Sequence, residues 1–397
     1  MNKKIICHIN TTFNSRSGSA KRTLKVLKAC QDNGYEVLLI TGNNNDVDLE
    51  QLQGVTVEIV PQLIKAISLK NEFKAYKKIQ SLIEQYGPSI VHTHLAKAGI
   101  LGRLAARNKN IHIVHTVHGP TFPKTIHPIK RLVFWVTEMI TASVTDTFIF
   151  VGEELRQSFI DAKVCNSENS FVINTARDDS QISYESLGCD EKIHLQNGIT
   201  SDKTVDKKLI SCVARLVPGK QQDHAIQVLY KLHQKGFTNT HLVLIGKALV
   251  ESEIQFEYHL KELVHTLKLD NFVHFLGHRN DVLEIMDVSD VVILPSKYEG
   301  LPNVVVEAVL SGTPVVSYNV SGVDEILGKL FGKLVVPQGD IKGMTNVIVS
   351  LFESSDDLFE EYAKLKEVIR KRFSNKVMLE RKMKFYEEFV KGSSNVK

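Results

Sequence analysis

Two successive series of short β-branched runs, each alternating with longer segments of helical period, constrain this chain more than any other feature. In the first half the runs fall at residues 5–9, 36–41, 55–61, 89–94, 111–118 and 145–151. Between them lie helical patterns, such as Phe73, Tyr76, Ile79 and Ile83 on one face. The alternation restarts at 209–213 and continues at 241–245, 272–276, 291–294, 314–318 and 333–336. Parallel strands need a crossover between each pair, so this alternation predicts parallel sheets covered by helices on both sides. At 397 residues the chain exceeds the length at which one core stops growing. The expected fold class is therefore α/β, with two Rossmann-like domains facing across a cleft.

The short polar stretch 201–208 suits a linker and puts the boundary near residue 200. The expected organisation is a first domain at 1–200, a second at 201–373, and a terminal helical segment at 374–397 with no strand after it. Ligands of open parallel sheets bind outside the carboxyl ends of the strands, so the residues just after strands are the ones to examine.

Composition excludes several classes. Five cysteines, with no CxxC pair among them, argue against a disulfide framework or a zinc site and fit a reducing cytosol. The opening residues carry charge but too short an apolar run for a signal peptide. No run of about eighteen apolar residues suggests a bilayer span. Between Ile59 and Arg131 about twelve Lys or Arg face two acids, whereas the following stretch to Thr200 is acidic. A solvated basic face and an anionic membrane or acceptor both fit this stretch, and no nucleic-acid motif accompanies it. The segment 123–136 mixes basic and apolar residues around the only tryptophan, Trp135. It reads either as a buried helix capped by a basic loop or as a peripheral membrane anchor.

The richest segment runs from Pro295 to Pro314. A strand ends, Glu299 and Gly300 turn the chain, and a helix is expected from Leu301 to Ser311, with Pro302 in its first turn and Gly312 as its stop. Its amino end, around Gly300, Leu301, Pro302 (which has a carbonyl but no N–H) and Asn303, offers free N–H groups and a positive dipole to an anion. Val304, Val305, Val306, Ala308 and Val309 make the helix apolar nearly all round, so Glu307 is expected to be buried and in need of a partner. A ribose diol is a sensible one. Arg215 and Lys220 follow the strand at 209–213 and precede a helix, a placement that suits a diphosphate.

These residues carry a resemblance. Seven residues separate Glu299 from Glu307, and Arg215 precedes Lys220 by five. That order resembles retaining family-four glycosyltransferases of the GT-B fold. The resemblance extends through Val91–Gly99, His115–Gly119 and Asn197–Ile199, and the first-domain segments look most like transferases that build bacterial surface polysaccharides. It implies a nucleotide diphosphate sugar donor, uridine by family habit, and a glycan or polyprenyl-diphosphate-linked acceptor. It implies that Glu307 holds the ribose, Glu299 contacts the transferred sugar, and Arg215 and Lys220 neutralise the diphosphate. His118 would face the sugar from the first domain. Gly277 and Arg279, in the stretch 277–280, would sit near the base. The terminal helix would cross back onto the first domain. A paired-glycine loop common in the family is here reduced to Gly18, with Lys21 and Arg22 beside it as acceptor-side candidates. Lys97, Lys130 and Arg131 join them on the acceptor or membrane side.

Charge developing on a leaving diphosphate is stabilised by fixed cations and a helix amino end, so no metal or other cofactor is required. Asp46 and Asp48 match a DxD pattern but lie in an Asn-rich stretch. His92, His94, His112, His115 and His118 alternate along strands without a carboxylate to complete a ligand set. No GxxxxGK[ST] or GxGxxG loop occurs, against an ATPase or a dinucleotide enzyme. The expectation is thus a cytoplasmic hexosyltransferase or N-acetylhexosaminyltransferase, peripheral to the membrane. The alternatives are a non-catalytic sugar-binding or scaffold subunit of a polysaccharide assembly and a nucleotide-sugar epimerase.

Overall fold

A computed structural model describes residues 4–13, 18–42, 50–64, 68–107, 110–123, 126–201, 206–353 and 356–392. The chain divides into two compact units. The first comprises residues up to Ala176 together with those from Asn375 onward, and the second runs from Arg177 to Ser374.

The first unit is a seven-stranded parallel sheet: β1 (Ile5–Asn10), β2 (Glu36–Thr41), β3 (Val55–Ile59), β4 (Ile90–His94), β5 (His112–Val117), β6 (Thr147–Phe150) and β7 (Ser170–Val172). Their order is β3-β2-β1-β4-β5-β6-β7, so the direction in which successive strands are added reverses between β1 and β4. Strand β7 has no counterpart among the expected runs; at three residues it is too short to leave a periodic signal. Four helices matter for function: α1 (Gly18–Asp32), α2 (Leu69–Tyr86), α3 (Ala96–Ala106) and α4 (Pro128–Ala142). α3 packs against α2, against α4, and against β1, β4 and β5.

The terminal helix Asn375–Gly392 belongs to this unit, as the resemblance implies. Its Met378, Met383, Phe385, Tyr386 and Val390 are buried with Val26, Leu27 and Cys30 of α1. Burial of such side chains stabilises by about 1.5–3 kcal/mol each, enough to hold a helix distant in sequence on the sheet.

The second unit is a six-stranded parallel sheet: β8 (Lys208–Val213), β9 (Thr240–Ile245), β10 (Val273–Gly277), β11 (Val291–Leu294), β12 (Val315–Tyr318) and β13 (Val335–Val336), ordered β10-β9-β8-β11-β12-β13. Its reversal lies between β8 and β11. The expected strand at 333–336 is reduced to two residues, because Phe331–Leu334 is helical.

The boundary differs from the expected residue 200. Asn197, Gly198 and Ile199 sit inside the helix Cys189–Thr200, which belongs to the second unit. Leu187, Leu195 and Ile199 pack on Leu209, Val243 and Ile285, and the Asp287 carboxylate accepts from the Leu187 amide at 2.7 Å and from Lys192 at 2.8 Å. These apolar and polar contacts, made at a distance in sequence, outweigh the local polar signal of the stretch after Thr200.

Candidate active site

In the second unit, pairing of β8 with β11 puts the loops that follow these strands side by side. The loop after β8 contains the 3₁₀ turn Pro218–Lys220. The Lys297 amide donates to the Gly219 carbonyl at 2.9 Å, and a Cβ on Gly219 would come within 2.8 Å of the Tyr298 hydroxyl. The two loops therefore touch, and Lys220 Nζ reaches Glu299 Oε1 at 2.5 Å. These two site residues, 79 apart in the chain, meet because their strands are neighbours.

The helix bearing Glu307 runs Asn303–Ser311, with Pro302 at the N-cap position rather than inside the first turn, and Gly312 closing it at φ 86°. Val305, Val306, Ala308, Val309 and Leu310 are fully buried. Gly300 and Leu301 form its approach, and the N–H groups of its first turn face the same end as Lys220 and Glu299, since β11 leads directly into this segment.

Glu307 has a protein partner that sequence reasoning missed. Arg177 Nη1 donates to Glu307 Oε1 at 2.8 Å, and Arg177 Nη2 donates to Asn303 Oδ1 at 2.7 Å. The Gln181 amide also reaches Oε1, at 3.4 Å. All three residues lie in the second unit. A mostly buried carboxylate demands a cation, and the expectation supplied a ribose where the fold supplies Arg177. That demand was the only signal available, because nothing local marks Arg177. The contacts fall on Oε1, leaving Oε2 with acceptor capacity.

Arg215 is not brought to this cluster. Its Nε lies 3.5 Å from Glu253 on the helix Glu251–Thr266, and its side chain is half exposed. Its carbonyl accepts from the Gln222 side-chain amide at 3.0 Å. Gly277 ends β10 in the left-handed region at φ 64°. Two residues on, Arg279 makes a two-pronged pair with Asp281, at 2.8 Å and 2.5 Å, leaving it partly exposed.

In the first unit the reversal between β1 and β4 gathers histidines that the sequence reading kept apart along strands. His8 and His92 are register partners, and His94 projects on the same side two residues later. His8 Nδ1 lies 3.1 Å from His94 Nε2, and His94 Nδ1 lies 3.4 Å from His118 Nε2. His92 bonds the Tyr386 hydroxyl at 2.5 Å and the Thr116 hydroxyl at 2.6 Å. Burial drives the imidazoles of His92, His94 and His115 well below the ordinary range and that of His8 down to about 3. Lys382 adds repulsion at His8, His92 and His94.

Nitrogens of His8, His92 and His94 converge within 4.8 Å, near enough for a metal ion. However, His92 already engages both ring nitrogens, and among the described residues no carboxylate joins the group to balance a dication. The donor chemistry therefore fits neutral imidazoles in a hydrogen-bonded chain better than metal ligation. This chain ends at a cavity of about 150 Å³ whose lining includes Asn10, Thr12, His94, His118 and Lys382. It sits at the carboxyl ends of β1 and β4, the position the reversal prescribes. His8 and Lys382 were not foreseen; pairing of β1 with β4 and return of the terminal helix bring them in.

The remaining candidates separate. Lys97 on α3 is held by Glu72 of α2 at 3.0 Å. Lys130 and Arg131 are exposed at the start of α4. Gly18 opens α1, while the side chains of Lys21 and Arg22 lie outside the described residues, as do Asp46 and Asp48.

Residues 199–372 match the family described as glycosyl transferases group 1, and residues 16–181 match Glycosyltransferase Family 4. The chain is a glycosyltransferase. Among similar proteins is the UDP-Gal:alpha-D-GlcNAc-diphosphoundecaprenol alpha-1,3-galactosyltransferase of Escherichia coli, 27% identical over 91% of this chain and 89% of its own length. The capsular polysaccharide biosynthesis glycosyltransferase CapM of Staphylococcus aureus is 25% identical over 87% of this chain and 88% of its own. Anabaena HepE, solved in complex with UDP, superposes with a TM-score of 0.78 at 19% identity, covering 97% of this chain and all (100%) of that one. Sucrose-phosphate synthase of Thermosynechococcus elongatus gives 0.81 at 17% identity, with 98% of this chain and 100% of that one covered. The fold of this glycosyltransferase is GT-B, as the resemblance implies.

Proposed function

We propose that this glycosyltransferase moves a hexosyl or N-acetylhexosaminyl group from a UDP-sugar to a glycan or polyprenyl-diphosphate-linked acceptor in bacterial polysaccharide synthesis. Transfer proceeds with retention and without a metal ion, at the cytoplasmic face of the membrane that carries the acceptor. The observation that carries the reading is the Lys220–Glu299 pair beside the amino end of the Glu307 helix, at the reversal between β8 and β11. The relatives support the donor: one is named for UDP-Gal, and HepE is solved with UDP.

In this reading the diphosphate draws Lys220 from Glu299 and takes the helix amides. Glu299, released, accepts from hydroxyls of the sugar. Glu307 stays tied to Arg177 through Oε1 and accepts from the ribose through Oε2. As the bond from the anomeric carbon to the diphosphate oxygen breaks, its electron pair goes to that oxygen, where Lys220 and the helix dipole meet the growing charge. The acceptor hydroxyl forms the new bond to the anomeric carbon and gives up its proton to the leaving diphosphate. The first unit's cavity, with Asn10, His118 and Lys382, takes the acceptor.

Calorimetric titration with UDP and a set of UDP-sugars tests the donor, assay in excess EDTA tests metal independence, and the anomeric coupling constant of the product tests retention. Failure of UDP to bind, or unchanged UDP affinity in Lys220→Ala, overturns the site.

A further inference from the structure

Helix α4 is built inside out. Ile129, Leu132, Val133, Val136 and Ile140, spaced along one face, are 40–68% exposed, and Phe134 beside them is 42% exposed. The inward face instead carries Glu138 and Thr141, both buried. Arg103 of α3 meets Glu138 at 2.9 Å with both side chains essentially shielded from water. Trp135 is tied down by its indole N–H, which donates to the Ala162 carbonyl at 3.0 Å. A buried ion pair thus orients α4 with its apolar stripe outward, the reverse of what solubility favours. Of the two readings of the 123–136 segment, the buried helix is the one the structure contradicts.

The feature is not confined to α4. On α2, Leu69 is 83% and Phe73 64% exposed, and they alternate with exposed Lys70, Lys74 and Lys77. α2 and α4 flank α3 in one layer, and each follows a strand of the same parallel sheet, so both start at the sheet's carboxyl edge. Exposed charges on α4 are only Lys130 and Arg131. Beside α4 a groove of about 470 Å³ is lined by Phe122, Ile126, Leu132 and Trp135, with Arg131, Lys163 and Asp161 also in its wall.

We infer that the outer faces of α4 and of the first half of α2 form one docking surface for an anionic lipid bilayer. Aliphatic side chains enter the acyl boundary while the lysines and Arg131 meet the headgroups. Charge complementarity selects this occupant. The apolar stripe is bordered by Lys70, Lys74, Lys77, Lys130, Arg131 and Lys163, against Asp161 and a Glu72 paired with Lys97. This net positive border matches a negative interface, whereas a second copy would set like charges against each other. α2 and α4 both begin at the carboxyl edge of the sheet, where the His118 cavity opens, so that edge lies alongside the docked face. The inference deepens the lipid-linked acceptor reading above and rests on it for its purpose, but its test does not involve the donor.

The test is sedimentation of the full chain with vesicles of phosphatidylcholine containing about 30% phosphatidylglycerol, against pure phosphatidylcholine. The expected result is binding to the anionic vesicles, weakened at least about tenfold by high salt or neutral lipid. The double substitution Leu132→Asp with Val136→Asp should abolish it, and Phe73→Asp should weaken it, with UDP affinity and far-ultraviolet dichroism unchanged. Absent binding to anionic vesicles, binding that survives the double substitution, or a lipid-free dimer lost in that variant would each overturn the inference. UDP binding that fails while vesicle binding persists would instead count against the donor reading.

Discussion

Arg177 and Glu307, 130 residues apart, share a 2.8 Å ion pair inside the second unit. The arginine side chain is 4% exposed and the carboxylate 14%. Arg177 opens this unit immediately after the chain leaves the first, and its amide donates to the Phe373 carbonyl at 2.8 Å. One residue therefore ties the beginning of the unit to its end and to the proposed ribose-binding carboxylate.

Removing one partner of a mostly buried pair leaves an uncompensated charge. Arg177→Met should cost about 3 kcal/mol in urea denaturation. Adding Glu307→Gln should recover part of the loss. If the two changes are additive, the pair carries no coupling and Arg177 is only a packing residue.

The cations after β8 should not contribute equally. Lys220 sits against Glu299, whereas Arg215 is half exposed and paired to Glu253. Lys220→Ala should weaken UDP binding by roughly ten- to a hundredfold, the worth of one charge-assisted bond to phosphate, and Arg215→Ala by much less. Equal losses by calorimetry would mean that Arg215 abandons Glu253 on binding.

The histidine chain makes stability pH-dependent with a definite sign. His8, His92, His94 and His115 resist protonation when folded, with His8 near 3, but take protons near 6.5 once unfolded. Their contribution is intact above that pH and is lost progressively as pH falls below it, by up to roughly 5 kcal/mol per pH unit for four groups. Urea midpoints measured from pH 7 to 5 should drop steeply, and less steeply in His8→Asn. A flat profile would contradict the buried, neutral state.

The Arg103–Glu138 pair should be a positioning device for α4. Glu138→Leu strands Arg103 and should cost about 3–5 kcal/mol, while Arg103→Met with Glu138→Leu should restore most of it. Thermal unfolding of the two variants discriminates; equal losses would place the cost in lost packing.

Gly246 follows β9 at φ 142°, and a Cβ there would lie 1.9 Å from the Ala214 carbonyl oxygen, just before Arg215. Gly246→Ala should cost about 2 kcal/mol or more and shift the loop that carries Arg215. A wild-type urea midpoint in this variant would show that the backbone relaxes without strain.

Most of the strands were legible because parallel strands buried on both faces write continuous β-branched runs, as at Ile40 or Val292, both fully buried. The Glu299–Glu307 segment was legible for a related reason: turn, helix start and stop are local, and Pro302 and Gly312 lie within a residue or two of their expected roles. β7 was not, being three residues long and dependent on β6 for its hydrogen bonds. The boundary misled because a polar stretch is a local signal, whereas allegiance to a unit is decided by contacts such as those of Asp287 with Leu187 and Lys192.

Periodicity and spacing alone determined two parallel-sheet units, the loops that carry the candidate site, and the placing of its candidate residues at strand ends. Those properties follow from backbone geometry, which repeats every few residues and so leaves its mark in the order of side chains. Only the tertiary structure decided that Arg177 serves Glu307, that Arg215 turns to Glu253, that His8 joins His94, and that α4 shows its aliphatic side to solvent. Each depends on which strands and helices become neighbours. Charge and hydrogen-bond partners are chosen by proximity in space, and no period in the chain encodes a contact made across a hundred residues.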